Sequence, residues 1–201
     1  MGAPHWRSGG FASLLSAGEH GMKNAHPSAG TFKTLLLDRN GWVPNNPRLP
    51  VIIYPNAIRV TGSDPAALFE QTFLAHGWPP QWRDGVYDYH HYHCEGHEVL
   101  GIACGDARLM LGGPNGHVVS VTQGDVLLLP AGTGHCNLGC SKDFLVVGAY
   151  PPGQHADIGR EAPSDAQLQR IAGLAFPQQD PVQGDAGAVC THWSAQRATI
   201  E

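Results

Sequence analysis

The chain has 201 residues, of which 42% are apolar, and a formal net charge of -5 with its histidines neutral. This length suits one domain with an ordinary core. The acidic balance and the lack of Lys or Arg runs exclude a nucleic-acid partner. No apolar run approaches the roughly 20 residues of a membrane span, and an odd number of cysteines argues against a secreted disulfide scaffold. We therefore predict a cytoplasmic protein without a membrane partner.

Residues 1–30 show no sustained hydrophobic period and are predicted to form a flexible N-terminal extension. Residues 31–195 are predicted to form a single domain. Its first strands are expected in TFKTLLLD at 31–38 and VIIY at 51–54, where β-type residues lie between turn-rich segments.

A helix is predicted next, in SDPAALFEQTFLAHG, with Asp64 as the N-cap, Pro65 in the first turn and Gly77 at the stop. We expect one face of this helix to pack on the outside of a sheet. The apolar residues at helical spacing are Leu68, Phe69, Phe73 and Leu74.

Strand-sized apolar segments then follow one another, separated by glycines. They are HEVLGIAC, ARLMLGG, HVVSV, DVLLLPAG and DFLVVGAY. No helix-length segment lies between them, so the pattern predicts an antiparallel sandwich or barrel. After Tyr150 we predict a short helix near Ser164 to Leu174, inside a C-terminal arm that wraps the same domain.

The stretch from Gly85 to Gly105 is dense in metal-ligand side chains. Four histidines fall within eight residues, with two glutamates among them: His90, His91, His93, His97, Glu95 and Glu98. In a strand, His91 and His93 share a face and His90 projects oppositely. Only a turn near Gly96 would bring Glu98 to the face of His91, so spacing alone leaves His97 and Glu98 as alternatives.

A second stretch, from Gly124 to Asn137, carries one histidine, His135, after a Gly-Pro-Gly framework. Imidazole nitrogen with carboxylate oxygen suits Fe, Mn, Ni, Co or Zn. Three histidines and one glutamate would leave two neighbouring positions of an octahedral shell open for water, dioxygen or substrate. The competing interpretation is that the histidines cluster by chance on an exposed edge strand.

The spacing of Gly85, His91, His93, Glu98 and Gly105 resembles the complete first motif of the cupin superfamily. The second motif matches from Gly124 through Pro130, Gly132 and His135. Its final Asn would stand four residues after His135, where this chain has Gly139, and Asn137 stands two after it. This departure concerns the turn after His135 and not the ligands.

The resemblance implies an all-β fold, the cupin double-stranded β-helix, a jelly-roll-like barrel with a short flanking helix and terminal arms. It implies one divalent metal ion held by His91, His93, Glu98 and His135, with His97 in a supporting or outward position. Further segments, including NNPRLPVIIY and PAGTGHCNLG, resemble the small bacterial YjlB-like cupins from Thr31 to Trp193. That family has no assigned reaction, so the resemblance implies a fold and a site but no substrate.

Aromatic residues precede and enter the first stretch: Trp78, Trp82, Tyr87, Tyr89 and Tyr92. Packing with edge-strand propensity explains them, and lining a pocket mouth is the alternative. In the second interpretation Trp82, Tyr87 and Tyr89 form a wall that excludes water from the site.

We predict a metal-dependent enzyme, a dioxygenase or related lyase acting on a small oxygenated organic acid or carbonyl compound. One alternative is a non-catalytic metal-containing module that senses or stores a small ligand. A weaker alternative is a sugar-phosphate isomerase, which would need several basic residues, whereas Gly85 to Asn137 supplies only Arg108. A homodimer is also expected, because open barrels of this kind expose edge strands.

Overall fold

The structure is a computed structural model that describes residues 32–193. The predicted extension, residues 1–30, lies outside this range, as do residues 31, 194 and 195 of the predicted domain. The domain boundaries therefore stay a prediction.

Within the described range, strands account for most of the regular structure. The strands are β1 (Lys33–Leu35), β2 (Val51–Tyr54), β3 (Pro80–Asp84), β4 (Glu98–Cys104), β5 (Asp106–Leu111), β6 (His117–Thr122), β7 (Val126–Leu129), β8 (His135–Cys140) and β9 (Leu145–Ala149). The helices are α1 (Pro65–Ala75), α2 (Asp165–Gly173) and α3 (Ala188–His192). None of these helices is long and apolar enough to cross a bilayer.

The strands form two antiparallel sheets. The larger sheet has the order β1-β2-β7-β4-β9-β3 and the smaller has the order β6-β5-β8. Non-consecutive neighbours in the larger sheet show that the chain crosses repeatedly between positions, as in a jelly roll. The prediction of an all-β double-stranded β-helix with short flanking helices is confirmed.

Two apolar layers lie on opposite faces of the larger sheet, and β4 contributes alternately to both. Leu100 and Ile102 face the barrel interior, where they join residues of the smaller sheet. Val99 and Ala103 face outward, into a layer that includes α1 and the C-terminal arm. Glu98 therefore begins β4 on the interior face, because side chains of a strand alternate.

Helix α1 packs on the outer face of the larger sheet, as predicted. Phe69 and Phe73 are fully buried over Gly101 of β4, where a Cβ atom would collide with the ring of Phe69. Asp64 caps the helix by accepting a hydrogen bond from the Ala67 N–H at 3.3 Å. The prediction for Leu74 is wrong, since its side chain is 62% exposed.

The C-terminal arm is fastened to the outer layer by one buried carboxylate. Asp180 accepts a hydrogen bond from the Tyr54 hydroxyl of β2 and further bonds from backbone N–H groups of the arm. Trp193 is fully buried, and its indole donates to the Pro50 carbonyl at 3.0 Å. Because the arm crosses the sheet that bears α1, it helps to close the outer layer.

Candidate metal centre

The two ligand-rich stretches meet directly through their backbones. His91 forms an antiparallel bridge with His135, the first residue of β8. The bridge has N–H to carbonyl distances of 3.2 Å from His91 and 2.9 Å from His135. The neighbouring residue Tyr92 bridges to Gly159 on the opposite side. This pairing turns His91 and His93 to one side of the chain and Tyr92 to the other.

A bend at Cys94 and Glu95 separates the two histidines from β4. The Asp157 carboxylate holds the bend, since it accepts hydrogen bonds from the Cys94 N–H at 2.7 Å and the Glu95 N–H at 2.9 Å. The bend resets the alternation, so that Glu98 rejoins the face of His91 and His93. It supplies the turn that the sequence requires near Gly96.

The three imidazoles are oriented by backbone carbonyls. His91 Nδ1 lies 3.1 Å from the Tyr89 carbonyl and His135 Nδ1 lies 3.0 Å from the Thr133 carbonyl. His93 Nδ1 contacts the Asp157 carbonyl. Because a carbonyl only accepts, each Nδ1 carries the hydrogen and each Nε2 is free to bind a cation.

The side chains converge closely in a buried position. The ligand atoms of His91, His93 and His135 all lie within 4.8 Å of one another. Glu98 Oε1 lies 3.3 Å from His93 Nε2, and Glu98 Oε2 lies 3.3 Å from His135 Nε2. The Glu98 carboxylate is only 2% exposed. Three imidazole nitrogens so placed could hold one metal ion.

The electrostatics of the cluster favour a positive charge beside Glu98. Burial lowers the pKa of His91 and, with the neighbouring His91, lowers that of His135 to about 3. Burial also opposes the charge of His93, but the Glu98 carboxylate outweighs it and raises the His93 pKa to about 9. Without a metal ion, His93 therefore holds a second proton on Nε2, and a bound cation would take the place of that proton. Burial alone would raise the pKa of Glu98, yet His93 and His135 bring it down to about 2. A buried carboxylate that stays ionised needs a cation next to it.

The cluster lies in a pocket of about 240 Å³. Its other walls are largely apolar, and include Trp82, Leu100 and Ile158. Tyr87, which is 49% exposed, also lines the pocket. The ring of Tyr89 stacks against that of Tyr87 at 4.8 Å between centroids.

The structure thus brings together the four residues that the sequence proposes as ligands, His91, His93, Glu98 and His135. Of the proposed supporting residues, Trp82 and Tyr87 line the pocket and Tyr89 lies against Tyr87. His97 lies elsewhere. Its Nδ1 accepts a hydrogen bond from the Ala131 N–H at 3.0 Å, and its ring packs against Trp193 at 5.0 Å.

Several residues of the site were not predicted from the sequence, and three of them contact or support the candidate ligands or form a pocket wall. Tyr150 lines the pocket and donates its hydroxyl hydrogen to Glu98. Asp157 fixes both His93 and the bend, and Ile158 forms part of the wall. A usable signal for Tyr150 was its position at the end of the strand-like segment DFLVVGAY, whereas the segment around Asp157 has no motif.

No protein-family model matches the chain. Over 163 residues the chain is 35% identical to the uncharacterized protein YjlB of Bacillus subtilis (strain 168), a match that covers 80% of this chain and 96% of YjlB. The chain belongs to the YjlB family. The two sequence motifs and the double-stranded β-helix make this YjlB-family protein a cupin.

Two solved structures resemble the YjlB-family chain. An uncharacterized conserved protein with a double-stranded beta-helix domain from Klebsiella pneumoniae subsp. pneumoniae MGH 78578 is 15% identical, with a TM-score of 0.31. That match covers 75% of this chain and 100% of the other. A mutant of Bacillus subtilis oxalate decarboxylase is 20% identical, with a TM-score of 0.34, and the match covers 71% of this chain. The YjlB-family chain spans only 34% of that decarboxylase, and no activity is inferred from either likeness.

Proposed function

We propose that this protein is a mononuclear metal-dependent enzyme, a dioxygenase or related lyase that acts on a small oxygenated organic acid or carbonyl compound. The observation that carries the proposal is the convergence of three fixed imidazoles and a buried carboxylate in one pocket. A bound divalent transition metal (Fe, Mn, Ni, Co or Zn) would polarise substrate oxygens and supply adjacent coordination positions.

The residues fit a metal ion in their donor chemistry. The Nδ1 atoms of His91, His93 and His135 are bonded to carbonyls, so each imidazole turns Nε2 to the centre of the cluster. His91 and His135 present Nε2 lone pairs there, and a metal ion would displace the proton that Glu98 favours on His93 Nε2. Within the described part of the chain, the buried Oε2 atom of Glu98 has no hydrogen-bond partner. A buried carboxylate oxygen without a hydrogen-bond donor is strongly disfavoured unless a cation lies beside it.

The pocket supports a small substrate. A volume of about 240 Å³ lies just below the range of roughly 300 Å³ and more that is usual for drug-sized ligands. Trp82, Leu100 and Ile158 give it apolar walls, which exclude water from the side away from the cluster. The substrate's oxygens would therefore face the histidines and its carbon skeleton would face these walls.

Arg160 supports an acid as the substrate class. Its guanidinium lies 4.1 Å above the centre of the Tyr89 ring, and Tyr89 in turn stacks on the pocket residue Tyr87. Gly159 bridges to Tyr92, so alternation puts Arg160 on the face of Ile158, which lines the pocket. In residues 32–193 no carboxylate forms an ion pair with Arg160, whereas Arg83 is paired with Asp64 and Glu70. Arg160 does not itself line the pocket, but a guanidinium without an ion pair that is linked to Tyr87 through Tyr89 suits a carboxylate.

The isomerase alternative is the least favoured. No Lys or Arg of the described residues lines the pocket, and a sugar phosphate needs such groups. The homodimer and the cytoplasmic location stay predictions.

Metal content and turnover test the proposal together. Purified wild-type protein is expected to hold close to one transition-metal ion per chain by mass spectrometry. His91→Ala and His135→Ala should lose it, while His117→Ala, which changes an exposed histidine of β6, should keep it. Oxygen uptake by iron-loaded protein is then measured with a panel of small organic acids and their amides.

We expect uptake with at least one acid, and a KM for it that rises roughly tenfold or more in Arg160→Gln, as for a lost charge-assisted hydrogen bond. Full metal occupancy in both histidine variants would disprove the site. Metal occupancy without turnover of any carboxylic acid or carbonyl compound would favour the non-catalytic binding module instead.

A further inference from the structure

The two oxygens of Glu98 have different surroundings. Oε1 accepts a hydrogen bond from the Tyr150 hydroxyl. Oε2 has no hydrogen-bond partner among the described residues, although it lies 3.3 Å from His135 Nε2. Because His135 carries its hydrogen on Nδ1, it offers Oε2 no proton. The Oε1 atom of Glu98 therefore has a hydrogen-bond donor, and the Oε2 atom has none.

The direction of the Tyr150 hydrogen bond is fixed by Trp82. The Trp82 indole N–H lies 2.9 Å from the Tyr150 oxygen, and an indole nitrogen can only donate. Tyr150 must therefore accept from Trp82, and its single hydroxyl hydrogen goes to Glu98. The three side chains form one chain of hydrogen bonds that runs from Trp82 through Tyr150 to Glu98.

Two glycines leave the space that the side chains of Trp82 and Tyr150 occupy. A Cβ atom at Gly148 of β9 would collide with the Trp82 indole, and one at Gly96 would meet the Tyr150 ring at 3.0 Å. Tyr150 is fully buried. The hydroxyl that faces Glu98 therefore has little freedom to move.

We propose that Tyr150, anchored by Trp82, is a positioning residue that makes Glu98 bind the metal through Oε2 alone. The inference rests on the metal site of the proposed function. The hydrogen bond from Tyr150 holds the carboxylate in one orientation and engages Oε1, so Oε2, which has no hydrogen bond, is the favoured donor to the ion. One-oxygen binding keeps a further coordination position open towards the pocket that Trp82 and Tyr150 line.

The test uses Co²⁺ as the probe, because its visible absorption reports coordination number and ligand geometry. Metal-free full-length protein is titrated with Co²⁺ for wild type, Tyr150→Phe, Trp82→Phe and Tyr92→Phe. Tyr92 is the matched control, since it is also a buried tyrosine but donates to the Glu161 carbonyl, away from the cluster. We expect Tyr150→Phe to weaken Co²⁺ binding roughly 10- to 100-fold, as for other supporting groups of metal ligands.

Tyr150→Phe should also change the Co²⁺ absorption spectrum, because the freed Oε1 can join the coordination shell. Trp82→Phe should shift both quantities in the same direction by less, and Tyr92→Phe should change neither. A wild type that binds no Co²⁺ would overturn the metal site itself. Wild-type binding with an unchanged affinity and spectrum in Tyr150→Phe would overturn the positioning role alone. If Tyr150→Phe does not fold by circular dichroism, the spectrum of Trp82→Phe decides in the same way.

Discussion

The carboxylates of Asp180 and Glu98 are both buried, and a tyrosine hydroxyl donates a hydrogen bond to each of them. They are 0% and 2% exposed, respectively, and each accepts a hydrogen bond from a buried tyrosine hydroxyl. Asp180 also accepts bonds from backbone N–H groups at 2.8, 3.0 and 3.1 Å. These donors are Val182, Gln183 and Val189. Donors of its own arm thus satisfy the charge of Asp180.

Glu98 has no such backbone donors among the described residues. Its other neighbours are the imidazoles of His93 and His135, and one oxygen has no hydrogen bond. A carboxylate surrounded by N–H donors stabilises the fold by itself. A carboxylate that has few hydrogen-bond donors and lies beside histidine Nε2 atoms is suited to bind a cation. The number and type of donors, more than burial, therefore distinguish a structural acid from a candidate ligand.

Removal of Asp180 is the largest expected change in stability. Asp180→Ala leaves buried N–H groups and the Tyr54 hydroxyl without their acceptor, so the free energy of unfolding should fall by about 3 to 5 kcal/mol. Urea denaturation measures it. Asp185→Ala, an exposed acid of the same arm, serves as the control and should change stability by less than about 0.5 kcal/mol. If both substitutions lowered the free energy of unfolding equally, Asp180 would not have the structural role proposed for it.

His97 adjoins Glu98 in sequence, but its ring packs against Trp193 in the C-terminal arm that also contains Asp180. Its burial predicts that the stability of the protein depends on pH. Burial lowers its pKa to about 3, whereas the unfolded chain binds this proton below about pH 6.5. The unfolded state thus gains protons first as the pH falls. The free energy of unfolding should therefore drop between about pH 6.5 and 3, by up to roughly 4 kcal/mol.

His97→Asn can keep an acceptor for the Ala131 N–H but cannot be protonated. The difference between wild type and this variant, measured by urea denaturation from pH 7 to 4, isolates the contribution of His97. Wild type should lose more stability than the variant on acidification. Parallel curves would show that His97 does not resist protonation in the folded state.

Stabilisation by a bound metal ion should depend on Glu98. The expected change in the free energy of unfolding is smaller than the changes predicted for Asp180 and His97. At a free Co²⁺ concentration of 100 times Kd, wild type should gain about 2.7 kcal/mol of stability. Glu98→Gln should lose most of this gain, because an amide oxygen is a much weaker ligand. Thermal melting with and without Co²⁺ measures it, and Asp185→Ala should keep the full gain. Equal gains in wild type and Glu98→Gln would remove Glu98 from the ligand set.

Local patterns explain why much of the fold could be predicted. VIIY and the glycine-bounded segments carry strand patterns in a few residues, and Asp64 and Pro65 mark the start of α1. Leu74 was misplaced because helical spacing shows a repeat but not the centre of the buried face. That centre follows Ala66, Phe69 and Phe73, and Leu74 lies about 100° around the helix from Phe73, away from this face.

Three candidate ligands, His91, His93 and Glu98, could be proposed because they lie within one short segment. The choice of Glu98 over His97 came from the family resemblance and not from spacing. The residues that orient these side chains could not be predicted, because Tyr150 lies 52 residues from Glu98 and Asp157 lies 64 residues from His93. The departure at Gly139 was also resolved only by the fold. No turn follows His135, because β8 continues to Cys140 with an irregular register around Leu138. Such pairings depend on how β5 and β8 meet, which no local pattern records.

The contact between His93 and the Asp157 carbonyl sets how much of the chain must be synthesised before the site can form. On the ribosome, all four candidate ligands have emerged once His135 is free, yet the carbonyl that orients His93 is added 22 residues later by sequence position. A nascent chain that ends between these points has its histidines but not their arrangement. The arrangement that we propose for metal binding is therefore complete only in a chain that extends at least to Asp157.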